Sequence, residues 1–306
     1  MNPSTYADRF DGHRAMNDLI RLCSLGPRPA GSEAMERQRG IVAEAFRSHG
    51  AEVSIQEFEG VHPLSERTVR LANVVGSWRP ERPDRVLIGG HGDTRPRADR
   101  ERDPTRVLGP FLGANDGASG VAALMELARH LTELPGSAGV DLVMFDAEEL
   151  VFDEVGDYCL GSCEFALRAR NQERAGGPSY AAAVVLDMIA GREMCLTREG
   201  FGRDYAAWLT EDLWNVARNR GTSRFSDDWG HYVEDDHLPL LGIGVPAIAL
   251  VDLDYPQWHT LDDRPEACDV GAIEAVGRVV LEWLGRWASL PESPGKTGLL
   301  DNENRE

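Results

Sequence analysis

Residues 140–149 read VDLVMFDAEE: an apolar run, interrupted once by Asp141, that empties into Asp146, Glu148 and Glu149. Near-continuous apolar character of this length predicts a strand buried on both faces, as in the middle of a parallel sheet. The same form recurs on either side. RVLIGG (85–90) runs into His91 and Asp93, YAAAVVLDMIA (180–190) carries Asp187, and VPAIALVD (245–252) is followed by QWHTLDD with Trp258 and His259. Helical spacing of three and four appears between these runs and before them, at 11–24, 34–49, 117–134, 161–170, 203–220 and 269–288. AEVSIQEFE (51–59) and RLANVVGSW (70–78) read as further strands, and Ser32 closes the turn LGPRPAGS as a candidate N-cap. Strands alternating with helices predict an α/β fold, a three-layer α/β/α sandwich around a mixed, mostly parallel twisted sheet. With no internal repeat and no clear linker, residues 1–288 read as one domain. The stretch 289–306 reads as a mobile C-terminal tail.

The 306 residues carry 32 basic and 51 acidic side chains, a formal charge of -19. Nucleic acid and anionic membrane surfaces would repel such a chain, so neither is an expected partner. No apolar stretch approaches the ~20 residues of a membrane helix. The polar N-terminus lacks a signal-peptide core. The five cysteines are odd in number and irregular in spacing, which suits reduced thiols in the cytoplasm.

The acids and histidines at the strand ends carry the chemistry. In open α/β sheets such groups gather at the carboxyl edge, so His91, Asp93, Asp116, Glu148, Glu149, Asp187 and His259 are expected in one site. Three carboxylates and two histidines of this set can hold one or two zinc ions, with Glu148 left over as a candidate base. Each has a plainer alternative. Asp116, in GANDGASG, could be a helix N-cap, and the Glu148–Glu149 pair could open a helix. Asp187, ending an apolar strand, is costly to bury unless a metal or donors meet it. Asp93 would orient His91 or hold its ring N–H. Thr260, Asp262 and Asp263 read as caps. The charged segment 94–112 is either a functional loop or a solvated excursion. There is no G-x-S-x-G elbow and no phosphate-binding loop.

In order, H-x-D, GANDGASG, DAEE, a strand-ending Asp, DDH and WHT resemble the zinc aminopeptidase and glutaminyl cyclase superfamily. The resemblance runs from about Leu25 to the helix ending near Ala288 and is closest to bacterial-type glutaminyl-peptide cyclotransferases. It implies a zinc held by Asp116, Glu149 and His259. In the two-metal peptidases of this superfamily, His91 and Asp187 would bind a second zinc bridged by Asp116. Glu148 would then deprotonate a metal-bound water that attacks a peptide carbonyl. In the cyclases one zinc polarises the side-chain amide of an N-terminal glutamine. The substrate's α-amine attacks, ammonia leaves, and Glu148 shuttles the proton. Three features resemble the cyclases. Two acids precede His237, of which Asp235 would join a proton network with Glu148 and Asp187. Trp258, directly before His259, would line a glutamine pocket. LGSCEFA follows DAEE after an insertion. The resemblance thus implies a cyclotransferase acting on peptides with a free N-terminus, with a two-zinc aminopeptidase as the alternative, since GANDGASG resembles the peptidases' bridging-acid turn. Every ligand position is filled, which speaks against a metal-free binding module.

Overall fold

The computed structural model describes residues 6–134, 138–152 and 155–288. The tail expected at 289–306 lies outside them. Among the described residues there are eight strands: β1 (Glu52–Val61), β2 (Thr68–Trp78), β3 (Asp84–His91), β4 (Gly139–Phe145), β5 (Ser179–Asp187), β6 (Leu196–Arg198), β7 (Phe225–Trp229) and β8 (Ala247–Val251). Helices are α1 (Gly12–Cys23), α2 (Glu33–Ser48), α3 (Ala118–Ala128), α4 (Leu160–Arg174), α5 (Gly200–Tyr205), α6 (Ala207–Arg220), α7 (His237–Gly242) and α8 (Val270–Ala288).

Period-two alternation sorts strand residues onto two cores. Val140, Leu142 and Met144 of β4 join Val86 and Ile88 of β3 and Val184 and Leu186 of β5 on one face. There they meet Phe46 of α2, Leu124 of α3, Trp214 of α6 and Val280 of α8. Val143 and Phe145 point the other way, with Leu87, Val185 and Ala249, onto Phe165 of α4 and Leu240 of α7. Every residue of β4 is buried, as its composition demands.

The six-stranded sheet has the order β1-β2-β4-β3-β5-β8. β3 runs parallel to β4 and β5, and β5 parallel to β8, while β2 is antiparallel to both β1 and β4. The expected mixed, mostly parallel sheet between helix layers is therefore the architecture. The carboxyl ends of β4, β3, β5 and β8 stand side by side, with His91 in register with Phe145 and Asp187 with Val251.

Caps set the helix starts. Asp11 accepts N–H groups of His13 and Arg14 for α1, and Ser32 accepts that of Met35 for α2. The single helix expected over 203–220 is two. α5 begins earlier because the Glu199 carboxylate caps Phe201 and Gly202, and the chain leaves helical geometry at Ala206 (φ -137°, ψ 41°). Nothing in the local sequence marks that break. The short β6–β7 ribbon and α7 were not legible from periodicity, being too short to show one.

Candidate active site

Among the described residues, three groups of candidate metal-ligating atoms form at the strand ends, one of them made of His91, Glu148 and Glu149. One atom each from Asp116, Glu149 and His259 lie within 4.8 Å of one another, and so do atoms of His91, Asp116 and Asp187. His259 Nε2 stands 3.0 Å from Glu149 Oε1 and 3.4 Å from Asp116 Oδ2. His91 Nε2 stands 3.3 Å from Asp116 Oδ1 and 3.2 Å from Asp187 Oδ1. Asp116 thus faces both histidines.

The donor set fits a divalent cation. Asp116 Oδ2 and Glu149 Oε2 are buried without a hydrogen-bond partner, and buried carboxylates need a positive charge. Burial opposes charge on His259, yet its bonds to Asp99 and Glu149 outweigh that and raise its pKa to about 10. For His91, bonds to Asp116, Asp187 and Asp93 likewise overcome burial and raise the pKa. The imidazoles are drawn toward the cationic form because the acids around them demand a cation. Two oxygens and one nitrogen, with further positions open to a cleft, are a ligand set of the kind zinc takes in catalytic sites.

Each ligand sits on a turn held by hydrogen bonds. Asp263 accepts the backbone N–H of Asn115 at 2.9 Å and of Asp116 at 3.2 Å, and receives the Tyr255 hydroxyl at 2.9 Å. It is therefore a clamp on the GAND turn and not a helix cap, a role invisible across 147 residues of sequence. Nor does Asp116 cap α3: Gly117 occupies the N-cap position, with no side-chain cap bond. Two glycines of the motif are required by close approach. A Cβ on Gly117 would lie 2.4 Å from His91 Nε2, and one on Gly120 would lie 2.2 Å from the Leu186 carbonyl oxygen. Arg28 of LGPRPAGS is fully buried and donates to the carbonyls of Gly26 and Gly113, the latter opening the same turn.

The Glu148–Glu149 pair opens no helix among the described residues. The chain bends at Ala147 (φ 57°), and α4 starts only at Leu160. Both backbone N–H groups of the pair donate to the Asp93 carboxylate, each at 3.0 Å. Asp93 also meets the His91 ring. His91 Nδ1 faces the Asp93 backbone carbonyl at 3.2 Å and the Asp93 carboxylate at 3.7 Å, so one residue serves both the ring and the bend.

Beyond that bend a carboxylate oxygen of Glu148 and one of Glu149 lie within 4.8 Å of each other and of a His91 ring nitrogen. Burial raises the pKa of Glu148 well above the usual carboxylate range, helped by Glu149, Asp236 and Asp235. The Cys159 thiol faces Glu148 Oε1 at 3.7 Å. Asp187 is raised to about 7, burial outweighing its bond to His91. Of the two acids before His237, Asp235 lines the cleft with Glu148 and Asp187, and its Oδ2 is buried without a partner. Asp236 is not among the residues lining the cleft and accepts the Ser162 hydroxyl of α4 at 2.5 Å. The LGSCEFA segment thus reaches the second acid rather than the first.

The cleft measures about 290 Å³. Asp116, Glu148, Glu149 and His259 form one end, with Trp258, Tyr158, Tyr232, Val233 and Leu253 among its walls. Trp258 is half-buried beside His259, with ring centroids 4.7 Å apart. The segment 94–112 is packed at Thr94, Arg95, Ala98 and Phe111 and exposed over most of 102–110. Asp99 Oδ1 lies 2.8 Å from His259 Nδ1, and the Arg100 guanidinium stacks on Trp258, 3.6 Å from the ring centroid. Ala98 and Phe111 bury against Leu261. Sequence reasoning singled out neither Asp99 nor Arg100; the one available signal was the placement of this charged loop between His91 and Asp116.

A sheet of this topology, with acids and histidines that could hold a metal at its carboxyl edge beside a buried carboxylate, fits an α/β enzyme. The chain belongs to peptidase family M28, whose family model matches residues 73–284. Its structure resembles that of Fimbriiglobus ruber glutaminyl cyclase (TM-score 0.87, 36% identity, 90% of this chain and 95% of that one). It also resembles a Zn-dependent exopeptidase from Parabacteroides distasonis (TM-score 0.82, 29% identity, 90% and 98%). In sequence it is 28% identical over 265 residues to a glutaminyl-peptide cyclotransferase of Boiga irregularis, covering 74% of this chain and 69% of the relative.

Proposed function

We propose that this protein is a zinc-dependent glutaminyl-peptide cyclotransferase that converts an N-terminal glutamine into pyroglutamate and releases ammonia. The observation that carries the reading is Glu148, a buried carboxylate of raised pKa beside the Asp116–Glu149–His259 cluster, with Trp258 lining the same cleft. Resemblance to named glutaminyl cyclases in both sequence and structure supports it.

In this reading Asp116, Glu149 and His259 hold one zinc. Zinc held there supplies a Lewis acid that polarises the γ-carboxamide carbonyl of the substrate glutamine. Trp258 packs on the glutamine side chain and excludes water from it. The substrate's own α-amine attacks the γ-carbonyl carbon, forming the ring N–C bond. Glu148 takes the proton that the amine nitrogen loses. It then delivers that proton to the amide nitrogen as the C–N bond breaks, so that nitrogen leaves as ammonia. A carboxyl group must both accept and return a proton near neutrality for this, and a raised pKa suits the task. Asp235 and Asp187 support the proton on Glu148. The negative cleft receives the substrate's amino terminus, and reduced thiols at all five cysteines are in keeping with action in the cytoplasm.

A second reading rests on the His91–Asp116–Asp187 cluster, which could take a second metal and serve an aminopeptidase. Gln-peptides and Leu-arylamides, assayed side by side with product mass and zinc content, separate the two. Loss of ammonia with one zinc per chain supports the cyclase, whereas gain of water with two zincs overturns it. Glu148→Gln should retain zinc and lose at least ~100-fold in turnover; a variant that turns over normally refutes the shuttle.

A further inference from the structure

The segment Asp99–Glu101 lies across Trp258–Leu261 and touches it residue by residue. Asp99 Oδ1 meets His259 Nδ1 at 2.8 Å. The backbone N–H of Arg100 donates to the His259 carbonyl at 3.2 Å, while its guanidinium stacks 3.6 Å from the Trp258 ring centroid. Glu101 Oε2 accepts the Leu261 N–H at 3.2 Å. Arg95 anchors the segment from behind. Its Nε donates to Asp99 Oδ2 at 2.8 Å, its Nη2 to the Tyr158 hydroxyl at 3.0 Å, and its Nη1 lies 3.7 Å from Glu149 Oε1.

His259 has φ 56°, a conformation that a residue with a Cβ holds only when its surroundings enforce it. Nothing regular encloses it: residues 252–264 contain no helix or strand. Its turn carries the backbone bonds from Trp258 N–H to Tyr255 and from Thr260 N–H to Gln257, and four further contacts come from the three consecutive residues Asp99–Glu101.

We propose that Asp99, Arg100 and Glu101 form a positioning strap that sets the metal ligand His259 and the cleft wall Trp258 as one unit. Asp99 selects the tautomer of His259, because a proton on Nδ1 leaves Nε2 as the lone-pair donor facing Asp116 and Glu149. Arg100 presses one face of the indole, fixing the plane that the rest of the cleft sees. These are positioning residues; none needs to touch the reacting atoms. The assignment to a ligand histidine rests on the metal site proposed above, and the test includes arms that do not depend on the reaction.

Three measurements test the strap. Competition with a chelator gives zinc affinity. Asp99→Ala should weaken it by about 10- to 100-fold, and Asp99→Asn, whose carbonyl can still accept from Nδ1, should recover most of that. Acrylamide quenching of the Trp258 emission, taken as wild type minus Trp258→Phe, should rise in Arg100→Ala and less in Arg100→Lys. Kinetically, Arg100→Ala should raise KM for a Gln-peptide by about fivefold with little change in kcat, an effect that vanishes in a Trp258→Ala background. Thermal melts of each variant separate these effects from misfolding, since a generally destabilised protein would lose zinc in Arg100→Ala as well as in Asp99→Ala. Wild-type zinc affinity in Asp99→Ala, or unchanged quenching in Arg100→Ala, overturns the strap. Failure of the wild type to cyclise Gln-peptides would sink the cyclase reading while the zinc and quenching arms still decide this one.

Discussion

The carboxylate of Asp93 receives the backbone N–H of Glu148 at 3.0 Å, and with its other oxygen that of Glu149. One side chain just past the end of β3 thus shapes the bend after β4. That bend sends two adjacent glutamates to different tasks. Asp93 is wholly buried, so its charge is spent on these two donors and the neighbouring histidine.

Replacing Asp93 by Ala should therefore disturb both glutamates at once. Zinc affinity is expected to fall by ~10- to 100-fold, as for other partners that orient ligands, together with turnover. Asp93→Asn keeps one acceptor and should lie between. Chelator competition and steady-state kinetics on the pair check this; a variant with unaltered zinc affinity would show that the bend holds itself.

Gly117 leaves room for the His91 imidazole. Gly117→Ala would bring a methyl within 2.4 Å of Nε2, so the ring or the GAND turn must move. The expected cost is about 1–3 kcal/mol of stability, as for overpacking in a core. His91 should also lose its alignment with Asp116 and Asp187. A melt and a zinc titration suffice, and unchanged values in both would contradict the close approach.

Asp146 supplies a pH test away from the ligands. It is fully buried, accepts Ala72 N–H and Arg39 at 2.8 Å each, and has one oxygen without a partner. Burial, reinforced by Asp93, raises its pKa to about 7. The unfolded value is near ~3.9, so the folded chain binds this proton more tightly. Its contribution is complete below about pH 4 and is lost as pH rises toward 7. Denaturant melts should show stability falling over that window, with a shallower slope in Asp146→Asn, which has no proton to lose. Equal slopes would mean that other groups govern the pH dependence.

Much of this molecule was legible in the order of its residues. Each buried strand announced itself by an apolar run, and the acid or histidine at its end marked the carboxyl edge of the sheet. Glu148, Glu149 and Asp187 were identifiable in that way because strand burial is a local property, written in consecutive residues; the set Asp116, Glu149 and His259 came from the order of the family's motifs. Asp263 and Asp99 were not. Each looks like an ordinary surface acid, one in a run after WHT and one in a charged loop, and their partners lie 147 and 160 residues away. The neighbours Asp235 and Asp236 illustrate the same limit. Adjacent acids on one turn are equivalent in sequence, and only the packing of α4 assigns Ser162 to the second.

The sequence by itself determined which side chains could serve a metal and a proton, and which strands would carry them, because alternation and burial depend on near neighbours. The tertiary structure alone decided which atoms face one another, which acid clamps a backbone and which faces the cleft. Those relations are set by chain crossings between distant segments. An ångström of displacement there separates a ligand from a surface charge.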